Sequence, residues 1–89
     1  MRYKVVFTAE SLKQLKKLDK YVAKFITTWI EKNLEGCENP RQYGKNLVAN
    51  RNGQWRYRIG DYRLIAEILD KEIVILIVNV GHRKNIYRI

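Results

Sequence analysis

The segment Trp55-Arg56-Tyr57-Arg58-Ile59-Gly60-Asp61-Tyr62-Arg63 carries three arginines. The closing segment Val80-Gly81-His82-Arg83, with Tyr87, adds a fourth arginine, the single histidine and a tyrosine. A guanidinium binds phosphate through a planar fork of donors and stays protonated at any working pH. Arg56, Arg58, Arg63 and Arg83 can therefore hold a phosphate and offset charge that develops on it, but they cannot take a proton. Proton transfer falls to His82, with a reference pKa of about 6.5, or to Tyr87, nearer about 10. Outside that role, His82 is a structural or solvent-exposed imidazole and Tyr87 a ring that closes the core. This set suits RNA, which carries its own nucleophile. The 2′-OH attacks the adjacent phosphorus in line, while the protein orients it, offsets the charge of the phosphorane and protonates the leaving 5′-oxygen. The rings interleaved with these arginines, Trp55, Tyr57, Tyr62 and Tyr87, are expected to stack on unpaired bases.

Other chemistries lack their residues. Nucleophile-elbow, Walker, dinucleotide-binding and paired-carboxylate motifs are absent, and one histidine excludes a two-histidine nuclease within one chain. Cys37 and His82 are too few soft ligands for zinc, and one cysteine forms no internal disulfide, so no metal and no other cofactor is expected. Cys37 reads as a loop thiol without a role. No run approaches the ~18 consecutive apolar residues of a membrane span, and Tyr3-Lys4-Val5-Val6-Phe7 is not a signal-peptide core. A cytoplasmic protein without a membrane partner is expected.

Eighty-nine residues suffice for one domain, 1–89. Eighteen Lys and Arg against nine Asp and Glu give a formal charge of +9. Residues 41–63 hold Arg41, Lys45, Arg51, Arg56, Arg58 and Arg63 against Asp61 alone, and residues 79–89 hold Arg83, Lys84 and Arg88 with no acid. The excess is thus a patch rather than a uniform shell, and a polyanion is its natural partner. Arg41, Lys45, Arg51, Lys84 and Arg88, around the arginine cluster, are candidate RNA contacts.

The elements that must position these residues follow from periodicity. Tyr3 to Phe7 is a β-prone run, and Thr8 stands as a helix N-cap with Glu10 in the first turn. Apolar residues from Ala9 to Leu34 recur in steps of three and four. One helix of that length would be about 40 Å long, far outside so small a core. Asp19 therefore starts a second helix, giving an αα-hairpin near 9–18 and 20–35 that Gly36 ends. Lys13, Lys16, Lys17, Lys20 and Lys24 form its solvated side. Residues 36–54 read as loop. Trp55, Tyr57 and Ile59 alternate with Arg56 and Arg58, Gly60-Asp61 makes a tight hairpin, and Tyr62 to Leu69 returns. Ile73 to Val80 is aliphatic throughout, as in a central strand, and Gly81 ends it. The predicted fold is α+β: an N-terminal strand, the αα-hairpin, then a three-stranded antiparallel meander. The helices pack on one face of the sheet, and the arginines lie on the other, open face.

These residues also resemble a family. Tyr3-Lys4-Val5-Val6-Phe7-Thr8, Leu12 with Leu15-Lys16-Lys17-Leu18-Asp19, Asn39-Pro40-Arg41, the run from Trp55 to Arg63, and Val80-Gly81-His82-Arg83 with Ile86-Tyr87 are similar, end to end, to RelE toxins of bacterial type II toxin-antitoxin systems, in the RelE/ParE superfamily. The resemblance implies an mRNA interferase, an endoribonuclease that cuts the message in the ribosomal A site and leaves a 2′,3′-cyclic phosphate. It also implies a cognate acidic antitoxin that covers the basic face. By position it places Arg56, Arg58, Arg63, Arg83 and Tyr87 in the family's site. Some members have lysines where Arg56 and Arg58 stand, so here this pair serves phosphate and transition-state charge. A C-terminal helix found in some relatives is not expected after Tyr87. Two other functions fit a domain of this kind: a ParE-like toxin acting on DNA gyrase, and a non-catalytic RNA- or ribosome-binding module.

Overall fold

The computed structural model describes residues 1–46, 54–82 and 84. Along the chain run β1 (Lys4–Phe7), α1 (Ala9–Lys16), α2 (Lys20–Asn33), a 3₁₀ turn (Pro40–Gln42), β2 (Lys45–Asn46), β3 (Gln54–Ile59), β4 (Tyr62–Leu69) and β5 (Val74–His82). The strands form one sheet in the order β1-β5-β4-β3-β2. β1 runs parallel to β5, and every other pairing is antiparallel. This is the α+β arrangement expected, with one strand more.

Local chemistry sets the helix boundaries. The Thr8 hydroxyl accepts a hydrogen bond from the Ser11 amide at 3.1 Å, and the Asp19 carboxylate accepts one from the Tyr21 amide at 2.8 Å, so both predicted caps act as caps. The break between α1 and α2 lets each apolar stripe meet the sheet. Ile26 and Ile30 of α2 and Leu34 at its C-cap join Tyr57, Ile59, Leu64, Ala66, Ile75, Ile77 and Val80 in one buried cluster.

The structure departs from the expected fold in three places. Residues 36–54 are not simply loop: Asn39 caps a turn begun by Pro40, and Lys45-Asn46 pairs with Arg56 and Trp55 as a two-residue edge strand. A Lys-Asn pair has neither alternation nor β propensity to announce it. β5 begins at Val74, because Ile73 turns the chain at a φ of 57°, and it continues through Gly81 to His82. Finally, the face opposite the helices is not open throughout. Cross-strand partners share a face, so the pairs Arg58 with Arg63 and Arg56 with Ile65 put all four residues there. Yet Arg63 is 6% and Ile65 2% exposed. Arginine stems can cover apolar surface while their heads stay polar.

A second constraint holds the segment between α2 and β2. Arg41 grips Asp70, just beyond the end of β4, through two hydrogen bonds of 3.1 and 2.8 Å, and the Tyr3 hydroxyl donates to the same carboxylate at 2.7 Å. The Arg41 guanidinium and the Tyr3 hydroxyl hold the Asp70 carboxyl below the usual aspartate range. A depressed carboxyl stabilises the fold above its unfolded pKa and loses that contribution as the pH falls through the folded value. The pair is exposed, so its worth is at most about 1 kcal/mol. Asp70→Asn is expected to unfold at a lower urea concentration than the wild type at pH 7. That gap should narrow as the pH falls below about 4 and close only once it has passed the lower pKa of the folded state, where the wild-type carboxyl is protonated too.

Candidate functional site

The two-residue period of β3 builds the site. Tyr57 and Ile59 turn into the core, at 0% and 2% exposure, and this sends Arg56 and Arg58 to the opposite face. Register then adds Arg63, opposite Arg58, and Lys45, opposite Arg56. These four cations line one cavity of about 500 Å³ together with Trp29, Tyr43 and Gly44. Among the described residues, every charged one of that lining is basic.

The Tyr43-Gly44 part of the lining is fixed by β3 itself. The Trp55 indole N–H donates to the Tyr43 carbonyl at 2.6 Å, and the Tyr57 hydroxyl donates to the Pro40 carbonyl at 2.6 Å. Burial pushes the Tyr57 phenol well above the usual tyrosine range, so it remains protonated and remains a donor. Trp29 of α2 meets both neighbouring rings, Tyr43 at 5.8 Å between centroids and Tyr57 at 5.9 Å. Gly44, at a φ of 80°, lies so close to β3 that a Cβ would run into the Arg56 carbonyl oxygen, the Trp55 indole nitrogen and the Tyr57 ring. Only glycine fits that approach.

Of the residues singled out in the sequence, the structure brings Arg56, Arg58, Arg63 and Lys45 together. Arg41 is engaged with Asp70, at the far end of β4 from Arg63, and does not line the cavity. His82 does not line it either. It pairs with Tyr62 across the ladder, with ring centroids 5.3 Å apart, while Arg63 pairs with Gly81, so imidazole and guanidinium fall on opposite faces. Its Nδ1 accepts a hydrogen bond from the Lys84 amide at 3.2 Å, which puts the ring proton of a neutral imidazole on Nε2. Lys84 is exposed beyond β5. Arg51, Arg83, Tyr87 and Arg88 lie outside the described residues. Burial likewise pushes the Cys37 thiol up, in keeping with a quiet loop thiol.

The stacking expectation for Trp55, Tyr57 and Tyr62 is corrected. The alternation that exposes the arginines directs these rings to the helix side, where Tyr57 belongs to the core and Trp55 and Tyr62 pack against it. The rings that reach the cavity are Trp29 and Tyr43, which sequence reasoning missed. Trp29 was absorbed into the apolar stripe of α2 and Tyr43 into a loop, and no local signal marks either. Among the described residues, no group of His, Cys, Asp and Glu is placed to hold a metal ion, and no helix is long and apolar enough to cross a membrane. The cavity can accept an extended anion, through the charge of Lys45, Arg56, Arg58 and Arg63 beside the rings of Trp29 and Tyr43.

A small α+β domain, with a cationic cavity that joins arginines of the sheet face away from its helices to Trp29 of α2, matches known proteins over nearly its whole length. The family described as ParE toxin of type II toxin-antitoxin system, parDE, matches residues 5–87. Toxin RelG of Mycobacterium tuberculosis is 32% identical over 88 residues, covering 99% of each chain. The crystal structure of the toxin-antitoxin complex RelBE2 from the same organism superposes with a TM-score of 0.83 at 29% identity, over 93% of this chain and 100% of that one. An archaeal RelE-RelB complex from Pyrococcus horikoshii superposes at 0.72 with 27% identity, over 96% and 99%. The chain belongs to this family of type II toxins, and within the RelE/ParE superfamily it is RelE-like. The resemblance read from the sequence is borne out, although the matching family bears the ParE name.

Two substitutions test the wall of the cavity. Gly44→Ala is expected to cost about 1–3 kcal/mol from the forced backbone, seen in urea unfolding, and to shift tryptophan fluorescence as the Trp55 bond gives way. Tyr57→Phe leaves the Pro40 carbonyl without its buried donor, at a cost of about 1–3 kcal/mol.

Proposed function

We propose that this toxin is a ribosome-dependent endoribonuclease, an mRNA interferase that inhibits translation by cutting mRNA in the A site through metal-free attack of the 2′-OH. The observation that carries this reading is the cavity in which Lys45, Arg56, Arg58 and Arg63 converge. Forked guanidinium donors match a phosphodiester. They also match the extra charge of the phosphorane better than the ground state, which is what accelerates a reaction. In this reading Arg83 joins them from the closing segment. Tyr87 carries the proton to or from the reacting oxygens. His82, on the helix side, steadies the chain after β5 through Tyr62 and the Lys84 amide. Lys84, Arg51 and Arg88 serve as outer RNA contacts, and Arg41 serves the fold.

Two relatives of this chain were solved as toxin-antitoxin complexes. A cognate antitoxin with an acidic toxin-binding part fits the same cationic face here, and the cytoplasm, where ribosome and message meet, is the compartment this activity requires. A second reading is favoured by the ParE name of the matching family: a toxin that acts on DNA gyrase, for which the arginine cavity would need no chemistry.

Primer-extension mapping of messages from induced cells separates the two. Discrete cuts are expected, with Arg58→Ala lowering the cleavage rate about 10²- to 10³-fold and Tyr87→Phe also lowering it, both variants keeping the wild-type melting temperature. DNA damage with intact messages would overturn the proposal. Binding to single-stranded RNA should weaken with salt at a log-log slope of about −3, as four phosphate contacts imply. Arg58→Ala should make that slope shallower by about 0.7.

A further inference from the structure

With Tyr57 in the core and Trp55 and Tyr62 packed against it, the rings among the described residues that an RNA strand on the arginines would meet are Trp29, which is half-buried, and Tyr43, which is exposed. We propose that Tyr43 is the base-stacking platform of the site, and that it receives the base of a nucleotide flanking the phosphate held by Arg56, Arg58 and Arg63. The inference rests on the reading of the cavity as an RNA site and adds to it the element that meets the base.

Three observations carry it. Tyr43 is a large apolar side chain left 37% exposed beside a cluster of cations. Its contact with Trp29 is edge-on, at an interplanar angle of 72°, and such a contact occupies at most one face of the Tyr43 ring. The ring is also held in place before any ligand arrives. Its own carbonyl is fixed by the Trp55 indole, the next residue is the glycine wedged against β3, and Trp29 braces its side. A rigid aromatic surface loses little conformational entropy when a base settles on it. The cavity, about 500 Å³, falls within the ~300–1,000 Å³ range of sites that enclose small ligands, so a phosphate and its neighbouring base fit together. Every base has a π-face, so the platform accepts all four and favours purines, which stack more strongly, by a modest factor.

A cycle that crosses the protein variant with removal of the base tests this assignment. Cleavage is followed under single-turnover conditions on ribosomes programmed with an intact A-site codon, and with codons made abasic at one position at a time. On the intact codon, Tyr43→Ala is expected to lower the second-order cleavage rate about 5- to 100-fold, and Tyr43→Phe to stay near wild type. On one of the abasic messages the wild type should itself be slower by a similar factor, with Tyr43→Ala adding nothing further. An equal loss on intact and every abasic message would reduce Tyr43 to a structural part of the wall and overturn the inference, as would no loss at all. If the wild type cuts no message, the endoribonuclease reading falls and the platform with it. If it cuts normally and only the cycle fails, that reading stands alone.

Discussion

Tyr57 enters the core whole, with a hydroxyl that must still find an acceptor, and much of the site follows from where it finds one. A ring of that size fixes the parity of β3, because its neighbours in sequence are then obliged to face the other way. Arg56 and Arg58 owe their face of the sheet to it. The hydroxyl reaches the Pro40 carbonyl, so the same side chain also anchors the segment that leads to Tyr43, Gly44 and Lys45. One residue thereby sets both the face that Arg56 and Arg58 occupy and the start of the segment that brings Tyr43, Gly44 and Lys45 to the cavity.

The arginine face crowds like charges, which a folded protein tolerates only with some loss of stability. Here the crowding is built on rigid elements: the register of two hairpin strands and a glycine that allows no retreat. Binding a polyanion relieves the repulsion, so a ligand that neutralises this face also stabilises the fold by mass action. Arg41 shows the contrast. It belongs to the same basic stretch of sequence, yet a carboxylate from the β4–β5 turn takes both arms of its guanidinium. Its charge holds the chain rather than a ligand.

Much of this was legible in the amino-acid sequence. The Thr8 and Asp19 caps, the two helices, the Gly60-Asp61 hairpin and the alternation of β3 are local signals, and each agrees with the structure. Three features were not. The edge strand Lys45-Asn46 has no pattern of its own and exists only because β3 offers it a partner. Tyr43 and Trp29 meet at the cavity from segments far apart in the chain, and periodicity sees neither as more than loop and core. His82 follows the arginine-bearing strands closely in sequence, but its parity in β5 matches Tyr62 rather than Arg63. Proximity along a strand says nothing about a shared face unless the positions differ by an even number.

The parallel pairing of β1 with β5 has a consequence for the birth of the protein. Lys4 aligns with Val74 and Phe7 with Ile77, so the first strand to leave the ribosome has no partner in the sheet until the last one follows. Contacts of such long range close late and slowly. The nascent chain can form its helices early, but the sheet that carries the arginines is completed only after β5 has been made. A growing toxin therefore lacks its complete sheet until the residues of β5 have left the ribosome.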